Sequence, residues 1–235
     1  MTGEIIFDLS LRYIMPCGYY YVNVIFIFFL IELYSYNTKV FLQVVLKTWI
    51  GQCLDLITTN FGKNPNLDLF TTDLYNSIAE YKTAYYSYFV AITVAMHFAG
   101  IKDPEMFRQA IPVSLKIGQL FQVQDDYLDC FGDPNVCGKD GTDIQDGKCT
   151  WFITRALQHS TPRQRKILEE CYGVADPEKV KRVKQLFTDL NLLDAYLTYE
   201  NEQYNQLNVS IQQMSCGLPH NMFSNLINRI YRRSL

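Results

Sequence analysis

The 235-residue chain is poor in residues that break helices or ligate zinc, with 12 glycines, 8 prolines and 3 histidines. Its 7 cysteines form no C-x-x-C pair and no Cys/His spacing suited to zinc. An odd number of unclustered cysteines indicates free thiols in a reducing compartment. We therefore expect a cytoplasmic protein, with the mitochondrion or the peroxisome as alternatives, that has no structural zinc site.

The sequence also lacks an excess of positive charge. Its formal net charge is -3, its pI is about 5.6, and no stripe of lysines and arginines occurs. A nucleic-acid-binding surface normally needs such a stripe, so we expect no nucleic-acid partner.

A membrane-spanning run is missing as well. Residues 19–34 are apolar, but Asn23 interrupts the run and Glu32 lies near its end. A spanning helix needs about 20 apolar residues. The run therefore predicts a buried core helix and disfavours membrane contact; an aberrant or replaced N-terminus is the alternative.

Helical periodicity dominates the rest of the chain, which is 49% hydrophobic and 14% aromatic. No convincing β alternation occurs, so we predict an all-α fold and one domain over 1–235, with a divergent segment at 1–39. Asp73 and Asp103 are the predicted caps of two of the helices. The predicted helices cover 38–59, 74–99, 104–131, 150–159, 162–172, 176–188, 190–214 and 219–232.

Three carboxylates lie within five positions of the stretch GQLFQVQDDYLDCFGDP: Asp125, Asp126 and Asp129. On a helix, Asp125 and Asp129 share one face, and Gln122 lies one turn earlier. Oxygen ligands without His or Cys suit Mg²⁺, which binds one or two carboxylates together with substrate phosphates. A solvated acidic surface is the alternative interpretation.

The polar loop over 132–150 follows these acids and carries Lys139 and Lys148, with Asp143 and Asp146 between them. Metal-binding acids followed by separated lysines fit a metal–diphosphate complex, because the lysines can neutralise the leaving group. Simple solvation of the lysines is again the alternative.

Polar residues also interrupt two apolar helices upstream. Lys82 and Thr83 lie in the aromatic stretch AEYKTAYYSYFV, and Gln52 and Asp55 share a face of the preceding helix. Such a lysine either extends to solvent or reaches a phosphate. Asp55 is either an active-site acid or an exposed or capping residue.

Several of these stretches resemble farnesyl diphosphate synthases of the animal type, within the trans-polyprenyl synthase family. The most specific is FQVQDDYLDCFGDPNVCGKDGTDIQDGKCTW, and it is accompanied by GQCLDL, YKTAYYSY and the terminal IYRR. The similarity extends from about residue 40 to the C-terminus. It implies an isoprenoid synthase-type bundle of α-helices around a central cavity.

The resemblance also implies a reaction and its cofactor. Family members condense isopentenyl diphosphate with an allylic diphosphate, dimethylallyl or geranyl, using up to three Mg²⁺ ions. They form dimers, so a homodimer or a heterodimer with a homologue is expected.

Site residues follow from the matched motifs. Asp125, Asp126 and Asp129 correspond to the second aspartate-rich motif, in which the first Asp binds Mg²⁺, and Asp55 corresponds to an acid near the metals. The candidate catalytic residues are Lys82, Thr83 and Gln122, which also contact substrate. Further diphosphate contacts are expected at Lys139 and Lys148. Arg232 and Arg233 correspond to the tail that folds over isopentenyl diphosphate, with a solvated basic end as the alternative.

One motif of the family has no counterpart in the sequence. The first D-D-x-x-D and its arginine pair are absent from the 51 residues before Gln52, where Asp8 is the one aspartate. Thr48–Trp49 also stands where the family has threonine–glutamate. Weaker neutralisation of the departing diphosphate is therefore expected to slow the reaction by orders of magnitude.

Two other functions fit the same residues. The first is a terpene synthase derived from this scaffold, for example in insect pheromone biosynthesis, which would ionise a prenyl diphosphate without isopentenyl diphosphate. The second is a non-catalytic subunit that pairs with an intact synthase.

Overall fold

The apolar periodicity of the chain folds into packed helices in the computed structural model, which describes residues 36–133, 141–215 and 217–233. No strand occurs in these ranges, which confirms the predicted all-α class. The helices are α1 Tyr36–Thr58, α2 Thr72–Ile78, a π-helix Ala79–Phe89, α3 Val90–Phe98, α4 Pro104–Phe131, α5 Trp151–His159, α6 Pro162–Cys171, α7 Pro177–Asp189, α8 Leu192–Gln212 and α9 His220–Ile230.

The predicted helix boundaries agree with most of these elements. α4 has the predicted bounds, because the Asp103 side chain accepts the Glu105 N–H and Pro104 occupies the first turn. The predicted cap at Asp73 is wrong: Thr71 Oγ1 accepts the Leu74 N–H, and Asp73 lies in the first turn of α2. The predicted core helix at 19–34 and the divergent segment at 1–39 lie almost wholly outside the described residues.

A π-helix replaces the α-helix predicted through 79–89. Two glycines allow its neighbours to approach closely. A Cβ at Gly51 of α1 would stand 2.2 Å from the Lys82 backbone nitrogen, and a Cβ at Gly118 of α4 would stand 2.5 Å from Ala84 Cα. The π-helix is therefore held between α1 and α4, and π-helices of this kind often occur at functional sites.

The core has two main parts, and α4 contributes to both. The second half of α4, with Val123 and Cys130, packs in a cluster with α2, α5, α6 and α7. The first half, with Val113 and Ile117, packs in a cluster with α3, α8 and α9. The helix that carries the predicted acids thus passes through the middle of the core, where it is rigidly held.

The outer face of α1 is apolar and exposed. Its side chains recur at spacings of four and three residues, as in a coiled-coil seam. They are Leu42, Leu46, Trp49, Cys53 and Leu56, and Trp49 is 68% exposed. By length and composition, Asn37–Thr58 is the one described helix that could cross a membrane, and 17% of its apolar window is buried.

Candidate active site

The three aspartates of α4 differ in their exposure, and Asp126 lies on a different face from Asp125. Asp126 is buried, whereas the side chain of Asp125 is 46% exposed and that of Asp129 is half-buried. Adjacent helical residues are separated by about 100°, so Asp125 and Asp126 cannot share a face. Asp125 is therefore the carboxylate of this motif that opens most to solvent.

Asp126 is held by the protein interior. Its Oδ1 accepts from Gln122 Nε2 at 2.9 Å, and its Oδ2 accepts from the Trp151 backbone N–H at 2.8 Å. Burial raises the pKa of Asp126 to about 7, although the Trp151 N–H, Tyr75 and Gln122 favour the ionised form. Asp126 thereby ties α4 to the first turn of α5.

Asp129 organises the loop that follows the gap at 134–140. Its two carboxylate oxygens accept the Thr142 N–H at 3.1 Å and the Asp143 N–H at 3.0 Å. A Cβ at Gly141 would stand 1.8 Å from the Asp129 carbonyl oxygen, so only glycine fits there. This carboxylate and this glycine fix the loop against the end of α4.

Asp143 is placed among three like charges. Burial, followed by the charges of Asp126, Asp129 and Asp125, raises the pKa of Asp143 to about 8, and Lys82 opposes the shift. The influence of Lys82 on Asp143 also shows that the π-helix lies near the acids of α4.

Ionisation of Asp143 is expected to reduce stability as the pH rises. The unfolded chain ionises this group near its ordinary pKa of 3.8 and the folded chain near 8, so the folded chain holds the extra proton between these values. The free energy of unfolding therefore falls with pH in this window. In urea titrations, the stability advantage of Asp143→Asn over the wild type should grow by about 1–3 kcal/mol from pH 5 to pH 8.

The control for this titration is Asp146→Asn, an equal charge change at an exposed position of the same loop. Its stability relative to the wild type should change little between the two pH values. Equal behaviour of both variants would contradict the placement of Asp143 among the acids.

Asp55 joins two of the predicted lysines. Its Oδ2 accepts from Lys82 Nζ at 2.8 Å and from Lys148 Nζ at 2.9 Å. The two ammonium nitrogens therefore lie no more than about 5.7 Å apart. Burial of Asp55 by itself raises its pKa, but the charges and hydrogen bonds of the two lysines together lower it below its ordinary value.

This arrangement leaves one net positive charge on two partly exposed ammonium groups. The side chains of Lys82 and Lys148 are 29% and 28% exposed, whereas that of Asp55 is 5% exposed. A diphosphate approaching from solvent would meet the ammonium groups before the buried carboxylate. The trio therefore has the net charge and the exposed ammonium groups that an anion site requires.

Two local features bring the lysines to Asp55. Gly51 precedes Asp55 by one helical turn, and its contact with the Lys82 backbone sets α1 against the π-helix at this point. Lys148 is held by its carbonyl oxygen, which accepts from the Tyr172 hydroxyl at 2.6 Å.

A hydrogen-bonded chain connects the lysines to the acids. Thr83 Oγ1, next to Lys82, donates to Gln122 Oε1 at 2.5 Å, and Gln122 Nε2 donates to Asp126. From the other side, Lys148 lies three positions before Trp151, whose N–H donates to Asp126. That separation spans about 11 Å at most. The predicted residues on α1, the π-helix, α4 and the loop thus converge.

The three remaining predicted substrate contacts are Lys139, Arg232 and Arg233. Lys139 lies outside the described residues. Arg233 Nη2 stands 3.8 Å from Asp125 Oδ1, whereas Arg232 is exposed beside the Tyr231 ring. The structure thus brings Arg233, but not Arg232, to the acids.

Sequence reasoning did not identify a buried polar pair behind the site. Gln124 and Glu200 are 1% and 2% exposed, and Gln124 Nε2 donates to Glu200 Oε1 at 2.8 Å. The signal available in the sequence was a glutamate within the apolar face of the helix predicted at 190–214, but its partner is 76 positions away.

The carboxylates of the site can supply part of the coordination shell of a Mg²⁺ ion. Among the described residues, no group of three or more His, Cys, Asp and Glu side chains forms a metal cluster. Mg²⁺ does not need one, since one or two carboxylates, water and substrate phosphates complete its shell. Asp125, with 46% of its side chain exposed, has a carboxylate accessible enough to serve as such a ligand.

Solved structures place this helical arrangement in a known class. Two structures of the T. Brucei farnesyl diphosphate synthase, one with risedronate and one with another bisphosphonate, superpose with TM-scores of 0.76 and 0.78 at 29% identity. Each match covers 84% of this chain, and the matches cover 58% and 71% of those chains. The fold is therefore the all-α isoprenoid synthase fold.

The chain belongs to the polyprenyl synthetase family, because the model of that family matches residues 17–190. The farnesyl pyrophosphate synthase of Murgantia histrionica is 48% identical over 86% of this chain and 49% of its own length. That of Rattus norvegicus is 49% identical over 83% of this chain and 55% of its own. The chain thus spans about half the length of these relatives and is farnesyl diphosphate synthase-like.

Proposed function

We propose that the protein is a Mg²⁺-dependent prenyltransferase of isoprenoid biosynthesis that condenses an allylic diphosphate, dimethylallyl or geranyl, with isopentenyl diphosphate. The observation that carries this proposal is the lysine pair on Asp55, placed beside the aspartate motif of α4. The lysines suit a diphosphate, and Asp125 suits the metal that accompanies it.

The residues of this chain perform three tasks in that reaction. Lys82 and Lys148 bind the diphosphate of the allylic substrate and neutralise its charge as the carbon–oxygen bond breaks. Asp125 would hold a Mg²⁺ ion, which would supply further neutralisation of the leaving group. Thr83 and Gln122 orient the substrate carbons between these groups, and Asp126 fixes Gln122 from the interior.

The first test measures binding. In calorimetric titrations with inorganic diphosphate and Mg²⁺, Asp125→Asn should weaken the affinity at least about tenfold, or ~1.4 kcal/mol, because the neutral amide is a poor magnesium ligand. Asp146→Asn removes an equal charge from an exposed position and should leave the affinity within about twofold. Equal loss in both variants would refute a metal site at Asp125.

The second test measures the reaction. The purified chain is incubated with Mg²⁺ and geranyl diphosphate, with and without isopentenyl diphosphate, and the products are identified by mass spectrometry. Slow formation of farnesyl diphosphate that requires isopentenyl diphosphate supports the proposal. A terpene hydrocarbon or alcohol formed without isopentenyl diphosphate would replace it with a terpene synthase.

We further propose that the protein assembles through the outer face of α1, with a second copy or with a homologous synthase. The apolar seam of Leu42, Leu46, Trp49, Cys53 and Leu56 supports this, since its exposed side chains recur at the spacing by which helices pair. Assembly with an intact homologue would make the chain a partner subunit, and that function predicts altered activity of the added homologue.

Disruption of the α1 seam is expected to produce monomers. Leu46→Glu with Trp49→Glu places two charges where the seam would be covered, at positions that are 62% and 68% exposed in the single chain. Light scattering after size exclusion should show a dimer for the wild type and a monomer for the variant. The matched control is Gln206→Glu with Asn208→Glu on α8; a monomeric wild type would contradict the proposed assembly.

We propose the cytoplasm as the location. The free cysteines among the described residues, Cys53, Cys130, Cys149 and Cys171, suit a reducing compartment. Expression of the tagged chain followed by cell fractionation tests this, and enrichment in mitochondria or peroxisomes would contradict it.

A further inference from the structure

Arg233 lies against the face of α4 that carries Asp125. Its guanidinium carbon stands 3.9 Å from the centroid of the Phe121 ring, and its Nη2 stands 3.8 Å from Asp125 Oδ1. Phe121 and Asp125 are four residues apart and share one face of the helix. The Arg233 side chain is 14% exposed. The ring and the carboxylate therefore form one binding site for the guanidinium of Arg233.

Buried hydrogen bonds anchor the backbone before Arg233. Gln124 Nε2 donates to the Ile230 carbonyl oxygen at 2.6 Å and to Glu200 Oε1 at 2.8 Å. The Tyr196 hydroxyl donates to the same Glu200 oxygen at 3.0 Å. Gln124 directly precedes Asp125, so this network ties the end of α9 to the helix position next to the exposed acid. Breaking a buried network of this kind is costly.

A turn of the backbone places Arg232 and Arg233 in different surroundings. The Tyr231 ring stacks on Tyr204 with centroids 4.1 Å apart, and its hydroxyl donates to Asn201. Arg232 adopts a left-handed backbone with φ of 51°, which turns the chain after Tyr231. As a result Arg232 is exposed and Arg233 is turned towards α4. The two residues carry the same charge in different surroundings.

We propose that Arg233 is the resting counter-ion of Asp125 and is displaced from this carboxylate when a divalent cation binds there. The inference rests on the proposed function, because it takes Asp125 as the metal ligand. Both cations seek the same oxygen atoms, so the binding of one weakens the binding of the other. The displaced guanidinium stays near the site through the anchor at Ile230, where it can contact a phosphate that accompanies the metal.

The contact geometry supports displacement over permanent pairing. At 3.8 Å, Nη2 and Oδ1 form an ion pair that is longer than a hydrogen bond. Arg233 is mostly buried, but 46% of the Asp125 side chain remains exposed, so water screens the carboxylate end of the pair. A divalent cation with its higher charge can therefore replace the guanidinium, whereas a buried bidentate pair would resist replacement.

The test uses Mn²⁺ as the metal probe, without diphosphate, and measures free Mn²⁺ by electron paramagnetic resonance. Arg233→Gln should tighten Mn²⁺ binding by about 3–10-fold, because the competing cation is lost. Arg232→Gln is the matched control: it removes the same charge one residue away and should change the affinity less than about twofold. Equal tightening in both variants would show that only the long-range charge of the arginines affects Mn²⁺ binding, and it would overturn the proposal. An unchanged Mn²⁺ affinity in Arg233→Gln would also overturn it.

Asp125→Asn separates this inference from the proposed function. If Asp125→Asn binds Mn²⁺ as the wild type does, the metal assignment fails. If Asp125→Asn loses Mn²⁺ while the two arginine variants behave alike, only the displacement of Arg233 fails.

A measurement on the wild-type protein tests the proposal without depending on the folding of a variant. In ¹⁵N-arginine-labelled protein, the Nε–H resonance of Arg233 should move at the Mg²⁺ concentrations that saturate Asp125, while that of Arg232 stays in place. An Arg233 resonance that ignores Mg²⁺ would overturn the proposal. Phe121→Leu removes the ring but keeps both arginines, and it should tighten Mn²⁺ binding by about 2–3-fold.

Discussion

Replacement of Gly118 by alanine is expected to destabilise the protein by at least about 2 kcal/mol. Helix propensity alone predicts the opposite sign, because alanine in a helix interior is about 1 kcal/mol more favourable than glycine. The packing decides the outcome: the new Cβ would stand 2.5 Å from Ala84 Cα and 2.6 Å from Ala84 Cβ. Real side chains do not approach a neighbouring backbone this closely, so α4 and the π-helix must separate.

Urea denaturation of the wild type and Gly118→Ala measures this effect. Gly100→Ala is a useful comparison, because a Cβ at Gly100 meets nothing within 4 Å but the backbone there has φ of +76°. It should cost about 1 kcal/mol through backbone strain alone. Adding Ala84→Gly to Gly118→Ala removes one of the two clashes and should restore part of the loss. A Gly118→Ala protein that gains about 1 kcal/mol would show that propensity governs this position and that the helices are further apart.

The same close contact explains why the π-helix could not be predicted. The apolar pattern of 79–89 also fits an α-helix, and the close approach to Gly51 and Gly118 involves two other elements, so no local signal marks the π-helix. The cap of α2 is likewise not decided by residue type: Thr71 and Asp73 are both good capping residues, and Thr71 is the one whose side chain accepts the Leu74 N–H. By contrast, the bounds of α4 depend on Asp103 and Pro104, which are local, and the sequence predicts them correctly.

In the candidate site, too, local features could be predicted from the sequence and contacts between distant elements could not. The spacing of Asp125 and Asp126 predicts an acidic helix, but not that Asp126 is buried under the Trp151 N–H, which arrives from 25 residues away. The family resemblance predicted that Lys82 and Lys139 bind the allylic diphosphate and that Lys148 is a further diphosphate contact, but not that Lys82 and Lys148 share one carboxylate. It placed Asp55 near the metals, whereas the structure places its Oδ2 between the lysines. Long-range hydrogen bonds of this kind leave no periodic signal in the sequence.

Removal of both lysines is expected to destabilise the protein far more than the two single changes together. In Lys82→Met or Lys148→Met, Asp55 keeps one cation at 2.8–2.9 Å, and the cost should be about 1 kcal/mol. In the double variant, a carboxylate that is 5% exposed keeps neither of these two cations. An uncompensated buried charge costs about 3–5 kcal/mol, so the coupling between the lysines should be large at pH 8.

The pH dependence of the double variant identifies Asp55 as the source of this loss. In the wild type the lysines lower the pKa of Asp55, so the group contributes stability above its unfolded pKa of 3.8 and loses it as the pH falls. Without the lysines, burial is left to raise the pKa, and the sign reverses: stability is present at low pH and is lost as the pH rises. Urea titrations should therefore show recovery of the double variant between pH 8 and pH 4.

Two controls complete this test. Lys166→Met with Lys181→Met removes the same charge from exposed positions on α6 and α7. The stability changes of these two single variants should add in the double variant, and their sum should not vary between pH 8 and pH 4. Addition of Asp55→Leu to the double lysine variant removes the buried charge itself and should restore most of the stability at pH 8. Additive losses for Lys82→Met and Lys148→Met, without recovery at low pH, would show that the three charges are not joined through Asp55. If the triple variant were more stable than the wild type at pH 8 and bound no diphosphate, the trio would sacrifice stability of the fold to hold two like charges ready for an anion.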